Sequence, residues 1–177
     1  MEIERKWMVS GWPQESLHLP LVSEHFMRQG YISTRPTVRI REEAESGGST
    51  AFILCFKSAA SADGLSRREV EIPVPEEHFR RLENLIGIPL IEKVRRTYLL
   101  PDGLHLEVNL VDSGLPSEFM YAEIEYVSGE QAENWVPSSE GLAQYLAEDV
   151  TGEPGQTMGA FWESTRLSSI SGTSPSL

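Results

Sequence analysis

A single cysteine, Cys55, stands in a chain of 177 residues. That excludes an internal disulfide and any cysteine-based zinc site, and it agrees with a reducing, cytoplasmic setting. Long apolar runs are missing as well. No stretch approaches the ~20 residues that cross a bilayer, and the opening Met1-Glu2-Ile3-Glu4-Arg5-Lys6 carries no apolar signal region, so no membrane partner is expected. Cations are scarce, 15 Lys and Arg against 27 Asp and Glu, for a net charge of −12. This balance argues against a nucleic-acid partner, because phosphate backbones are gripped by clustered Lys and Arg. No long-period repeat is present. Low complexity is confined to the end, where 164–177 is rich in Ser and poor in core formers and reads as a flexible tail. Residues 1–163 read as one domain.

What is abundant is period-two alternation, the mark of strands. It predicts eight of them: Glu2–Val9, His25–Ser33, Thr37–Glu42, Thr50–Lys57, Ser66–Val74, Ile91–Leu100, Leu104–Val111 and Met120–Val127. Gly47-Gly48, Asp63-Gly64, Pro101-Asp102-Gly103 and Ser113-Gly114 lie between them as turn chemistry, and such short links favour antiparallel hairpins. Helical spacing is confined to Pro75–Ile86 and Ser138–Val150, with a short helix expected within Gly11–Leu21. The fold class is mainly β (α+β): an eight-stranded antiparallel β-barrel with a few helices packed outside.

The alternation itself is unusual. A half-buried strand normally sets apolar residues against mixed polar ones, whereas here one parity is almost wholly ionisable. Glu2, Glu4 and Lys6 alternate with Ile3 and Trp7, and Arg39 and Arg41 with Val38 and Ile40. The pattern continues through Lys57; Arg67, Glu69 and Glu71; Lys93 and Arg95; Glu107 and Asn109; Glu123 and Glu125. Any one strand of this kind is ordinarily a solvated outer face. Across seven strands, with arginine preferred to lysine and few Ser or Thr, that reading weakens. The alternative turns the apolar parity outward against helices and lines a water-filled barrel with seven carboxylates and seven cations. The lining is then neutral, and the net −12 belongs to the rest of the molecule. A purely structural network of this size is disfavoured, because each desolvated ion costs several kcal/mol. A charged ligand explains it better, with cations for a polyanion and carboxylates for a divalent metal.

In chain order, Glu2-x-Glu4-x-Lys6, Arg39-x-Arg41, Lys57, Arg67-x-Glu69-x-Glu71, Lys93-x-Arg95, Glu107 and Glu123-x-Glu125 resemble the CYTH superfamily, the triphosphate tunnel metalloenzymes. The resemblance runs from Met1 to about Gly152 and implies an antiparallel tunnel that binds a triphosphate with Mg²⁺ or Mn²⁺. It implies Glu2, Glu4, Glu123 and Glu125 as metal ligands, with Glu107 a further contact. Lys6, Arg39, Arg41, Lys57, Lys93 and Arg95 become the phosphate cradle, with Lys57 or Lys93 neutralising the leaving oxygen. Arg67, Glu69 and Glu71 become a supporting layer. The implied activity is metal-dependent hydrolysis of inorganic tripolyphosphate or a nucleoside or thiamine triphosphate, since phosphoryl transfer asks mainly for positioning and charge stabilisation. A non-catalytic polyphosphate-binding module and a class IV-like adenylate cyclase use the same cradle, although nothing marks a base pocket. Two departures stand out. Asn109 replaces an acid carried by many relatives, which bears on a second metal, and Glu153-Pro154-Gly155-Gln156-Thr157 replaces the usual continuation, which leaves a closing helix unmarked.

Overall fold

The computed structural model describes residues 1–62 and 64–168. Within them the strands are β1 (Glu2–Met8), β2 (Leu21–Thr34), β3 (Thr37–Glu45), β4 (Thr50–Lys57), β5 (Ser66–Arg67), β6 (Glu69–Pro73), β7 (Ile91–Leu99), β8 (His105–Val111), β9 (Phe119–Glu125) and β10 (Glu148–Asp149). Every pairing is antiparallel, in the order β10-β1-β9-β8-β7-β2-β3-β4-β6. The ring closes through one expected strand that is broken in two. Ser66–Arg67 pairs with β1, and after Arg68 the chain resumes as β6 on β4. The expected eight strands are thus the staves of the barrel, with the fifth kinked at Arg68 and the short β10 added on β1.

The apolar parity does turn outward. Ile3 and Trp7 of β1 join Leu106 and Val108 of β8 and Ala122 and Ile124 of β9 in one buried cluster. It is covered by the short helices α2 (Gly129–Asn134) and α3 (Glu140–Tyr145), which contribute Ala132 and Leu142. Trp7 meets Trp135 with ring centroids 5.8 Å apart. On the other side α1 (Glu76–Ile86) buries Phe79 against Phe52, 5.2 Å away, and stops at Gly87, whose φ of +69° suits glycine.

Three expectations need correction. The helix predicted over Ser138–Val150 ends at Tyr145, because Glu148 and Asp149 pair with Met8 and Trp7 instead. The helix within Gly11–Leu21 is one 3₁₀ turn, Glu15–Leu17. Residues from Ser164 do not begin as a tail: α4 (Met158–Trp162) passes into a π-helical turn, Glu163–Leu167. There Arg166 donates two 2.7 Å hydrogen bonds to the buried Asp112 carboxylate. The rest of the expected tail, 169–177, lies outside the described residues.

The inward parity changes character along the barrel. Reading in from one end, β1 offers Glu2, Glu4, Lys6 and then Met8, and β9 offers Glu125, Glu123, Tyr121 and then Phe119. β8 offers Glu107, Asn109 and Val111, and β7 offers Arg95, Lys93 and Ile91. Val111, Ile91 and Tyr121 join Trp162 in a second core cluster, with Met8, Phe119 and Phe161 packed against it. Carboxylates therefore give way to cations, an amide and a phenol, and these to an apolar plug.

Candidate functional site: a charged tunnel

The seven carboxylates and seven cations expected on the inward face line a single cavity of about 850 Å³. Its other walls are the Ser58–Ala62 loop and the chain from Val150 to Ala160. These two segments meet at a pair of glycines: a Cβ on Gly64 would lie 2.2 Å from Gly152 Cα, so the close approach requires glycine at 64, where φ is +75°.

On the β3–β4–β6 side, arginines and carboxylates interlock. Arg41 Nη2 donates to Glu71 at 3.0 Å, and Arg39 Nη2 lies 3.6 Å from both Glu69 and Glu71. Lys57 Nζ bridges Glu2 at 2.9 Å and Glu69 at 3.2 Å, while Arg67 donates to Glu4 at 2.9 Å. Cys55 is buried among them and donates its thiol to Glu69 at 2.9 Å; burial pushes that thiol up to about 11. Cys55, Glu69 and Glu71 are the one trio of acidic or thiol ligands found, among the described residues, with ligand atoms within 4.8 Å. Arg39, Arg41 and Lys57 already compensate that trio, so it is not the better place for a metal.

The β1–β8–β9 side differs. Glu4 lies opposite Glu125 across the sheet, and Glu107 opposite Glu123. Burial first, then Glu123 and Glu2, raises the Glu4 carboxyl from 4.5 to about 7. Burial together with Glu2, Glu107 and Glu69 raises Glu125. Burial also acts to raise Glu123, but Lys6, Arg95 and Lys93 outweigh it and hold this carboxyl below its usual range. Glu4 and Glu125 are crowded hard oxygens whose burial and carboxylate neighbours oppose ionisation, which a divalent cation would relieve, so the set fits Mg²⁺ or Mn²⁺.

Deeper in, carboxylate support is uneven, with Lys6 Nζ 3.8 Å from Glu123. Lys93 is 4% exposed and donates to Tyr121 Oη at 3.1 Å. Burial, followed by Arg95, drives its ammonium well below the usual range, with Arg39 and Arg41 acting in the same direction. Lys6 Nζ sits 3.9 Å above the Tyr121 ring and donates to the Gln156 carbonyl at 2.7 Å, and burial lowers it too. Arg95 donates from Nε to Asn109 at 3.1 Å and pairs with Glu107 at 2.8 Å.

Several lining groups escaped the sequence reading. Tyr121 shares the parity of Glu123 and was legible in it. Tyr31 lies opposite Arg39 on β2, a strand whose inward face carries no run of charge. The Gln156 contact is a backbone carbonyl and has no side-chain signature. Glu43, which does not line the cavity, pairs with Arg41 at 3.1 Å on a β3 longer than expected.

An antiparallel β-barrel with an ion-lined bore, closed at one end by an apolar plug, is the class that fold and cavity define. The CYTH domain model matches residues 1–144, and the chain belongs to that family. It is 36% identical over 137 residues to the inorganic triphosphatase of Nitrosomonas europaea, covering 77% of this chain and 83% of that one. Among solved structures, the inorganic triphosphatase NE1496 superimposes with a TM-score of 0.57 at 24% identity, covering 91% of this chain and 93% of the other. The putative adenylyl cyclase HpAC1 from Hippeastrum, described as having a dominant triphosphatase activity, gives 0.56 at 16% identity over 91% and 95%. At these identities the structural likeness speaks for the fold. No helix among the described residues is long and apolar enough to cross a membrane.

Proposed function

We propose that the protein hydrolyses inorganic tripolyphosphate to pyrophosphate and phosphate inside the tunnel, with Mg²⁺ or Mn²⁺. The observation that carries this reading is the convergence of seven carboxylates and seven cations on one cavity, with Lys93, deep among arginines, hydrogen-bonded to a phenol. A buried lysine held among arginines calls for an anion, and a chain of phosphates supplies several. Arg39, Arg41, Lys6, Lys93 and Arg95 bind the phosphoryl oxygens, and Lys57 or Lys93 neutralises the leaving oxygen as its bond loosens. Arg67, Glu69 and Glu71 hold Arg39, Arg41 and Lys57 in place. Glu2, Glu4, Glu123 and Glu125 hold the metal, with Glu107 beside them, and the bound ion supplies charge stabilisation and acidifies water.

Tripolyphosphate is favoured over a nucleotide on two grounds. The relative sharing 36% identity is an inorganic triphosphatase. Among the described residues the aromatic side chains lining the cavity are Tyr31 and Tyr121, 7% and 1% exposed, with hydroxyls engaged by Gln29 and Lys93. Neither presents a face on which a base can stack. The test is purified protein with Mg²⁺ or Mn²⁺ and, separately, tripolyphosphate, ATP and thiamine triphosphate, following phosphate, pyrophosphate and cyclic AMP. Phosphate and pyrophosphate from tripolyphosphate are expected. Binding without turnover would leave a polyphosphate-binding module, and cyclic AMP from ATP would make it a cyclase.

A further inference from the structure

Asn109 is fully buried, in the sheet between Arg95 on β7 and Tyr121 on β9. Its Oδ1 accepts the Arg95 Nε–H at 3.1 Å, and its Nδ2 has no partner among the described residues. The amide orientation follows from chemistry, since the reverse would set an N–H against the guanidinium N–H. Its oxygen faces Arg95, and the side chain is fully buried outside the residues that line the cavity, so it has no atom open to a metal bound there.

An orphaned buried N–H is a standing destabilisation. The near-isosteric aspartate would remove it and give Arg95 a stronger, charge-assisted bond. Aspartate would also bury a further carboxylate at a cost of several kcal/mol, and what Asn preserves is the charge balance. Arg95 already meets Glu107 at 2.8 Å and Glu123 at 4.0 Å. A third carboxylate would surround the guanidinium with negative charge at the depth where Lys93 and Lys6 lie.

We propose that Asn109 is a positioning residue of the anion cradle: its neutral amide fixes the Arg95 guanidinium through Nε while leaving that cation's charge available to a phosphoryl group. Position 109 then serves the anion and not the metal. This inference rests on the cradle reading above.

The test is calorimetric titration of tripolyphosphate, without metal, into the wild type, Asn109→Asp, Arg95→Gln and the double variant. Separate titrations use Mg²⁺ and Mn²⁺ alone, and melting temperatures are recorded for each protein. Asn109→Asp is expected to keep a cooperative melting transition, to bind tripolyphosphate about tenfold more weakly, and to leave metal affinity within twofold. In the Arg95→Gln background the same change should alter anion affinity less than twofold. Asn109→Leu, which releases Arg95 without adding charge, should also weaken the anion and raise KM more than it lowers kcat. Wild-type anion affinity in Asn109→Asp, an undiminished effect without Arg95, or a tightened metal would each overturn the inference while leaving the cradle intact. A wild type that does not bind tripolyphosphate would overturn both.

Discussion

Two ionic clusters of the same residue types sit on opposite sides of the barrel wall. Outside, Arg28 and Arg80 share Glu42, with Glu83 binding both and Glu76 the second. There each partner favours the charge of the other: hydrogen bonds from Arg80 and Arg28 outweigh burial and lower Glu42, while Glu42 and Glu83 raise Arg28. Inside, Glu4 and Glu125 are raised and Lys6 and Lys93 lowered. The tunnel arginines keep carboxylate partners, but Glu4, Glu125, Lys6 and Lys93 sit where burial opposes their ionisation. An ion pair kept for stability improves the ionisation of both members. A site kept for a ligand leaves charge uncompensated until the ligand arrives.

The largest expected effect breaks that comparison at its centre. Lys93→Met should lower kcat for tripolyphosphate about a thousandfold, near 4 kcal/mol, yet leave the melting temperature unchanged or higher, because a buried ammonium already disfavoured is replaced by an apolar chain. A variant both active and unstable would make Lys93 structural.

Next comes a buried pair outside the tunnel. Asp112 has a side chain 1% exposed and depends on Arg166. Burial acts to raise its carboxyl, but hydrogen bonds from Arg166 and Ser117 hold it below the usual range. Arg166→Met should cost about 3–4 kcal/mol and lower Tm by roughly 6–16 °C, with kcat retained, since the stranded carboxylate lies outside the catalytic tunnel. A melting point within 2 °C of wild type would show that the pair contributes little.

The tunnel was legible because period-two alternation is a local signal: it sets Glu2, Glu4 and Lys6 on one face of β1, and the same spacing sets Arg39 and Arg41, Lys93 and Arg95, and Glu123 and Glu125 each on one face of their own strand. The break at Arg68 was not, since Ser66–Val74 alternates without interruption and only closure onto β1 forces the kink. Glu148 and Asp149 become a strand because the edge of β1 is there to accept them, a tertiary demand that overrides helical spacing. Helix α2 was missed although Ser128 caps Gln131, because six residues carry too little periodicity to be seen.

A third prediction uses pH. Glu4 is protonated in the fold up to about 7, against 4.5 for the free side chain. Its contribution to stability is therefore complete below about pH 4.5 and is lost as pH rises toward 7. In metal-free protein the loss should approach, at most, about 3 kcal/mol, and Glu4→Gln should abolish it. Other carboxylates titrate as well, so the quantity to measure is wild-type minus variant unfolding free energy from pH 4 to 8. A flat difference would place Glu4 in a more compensated setting than its neighbours suggest.

The smallest effect belongs to the most exposed pair and sets the scale for the rest. Glu77 and Arg81 are one turn apart on α1 and 2.6 Å apart, with both side chains 70% exposed. Water screens the attraction, and holding two long side chains in one geometry costs entropy, so their coupling should be about 0.3–0.5 kcal/mol. Glu77→Ala alone would mislead, because that carboxylate also meets the positive end of the helix in its first turn. The double-mutant cycle with Arg81→Ala removes this contribution from the sum. Coupling should fall further in 1 M salt, where the screening length shrinks to about 3 Å. Coupling above 1 kcal/mol that survived the salt would mean that exposure does not separate the two sides of the wall, and the contrast would then have to rest on geometry alone.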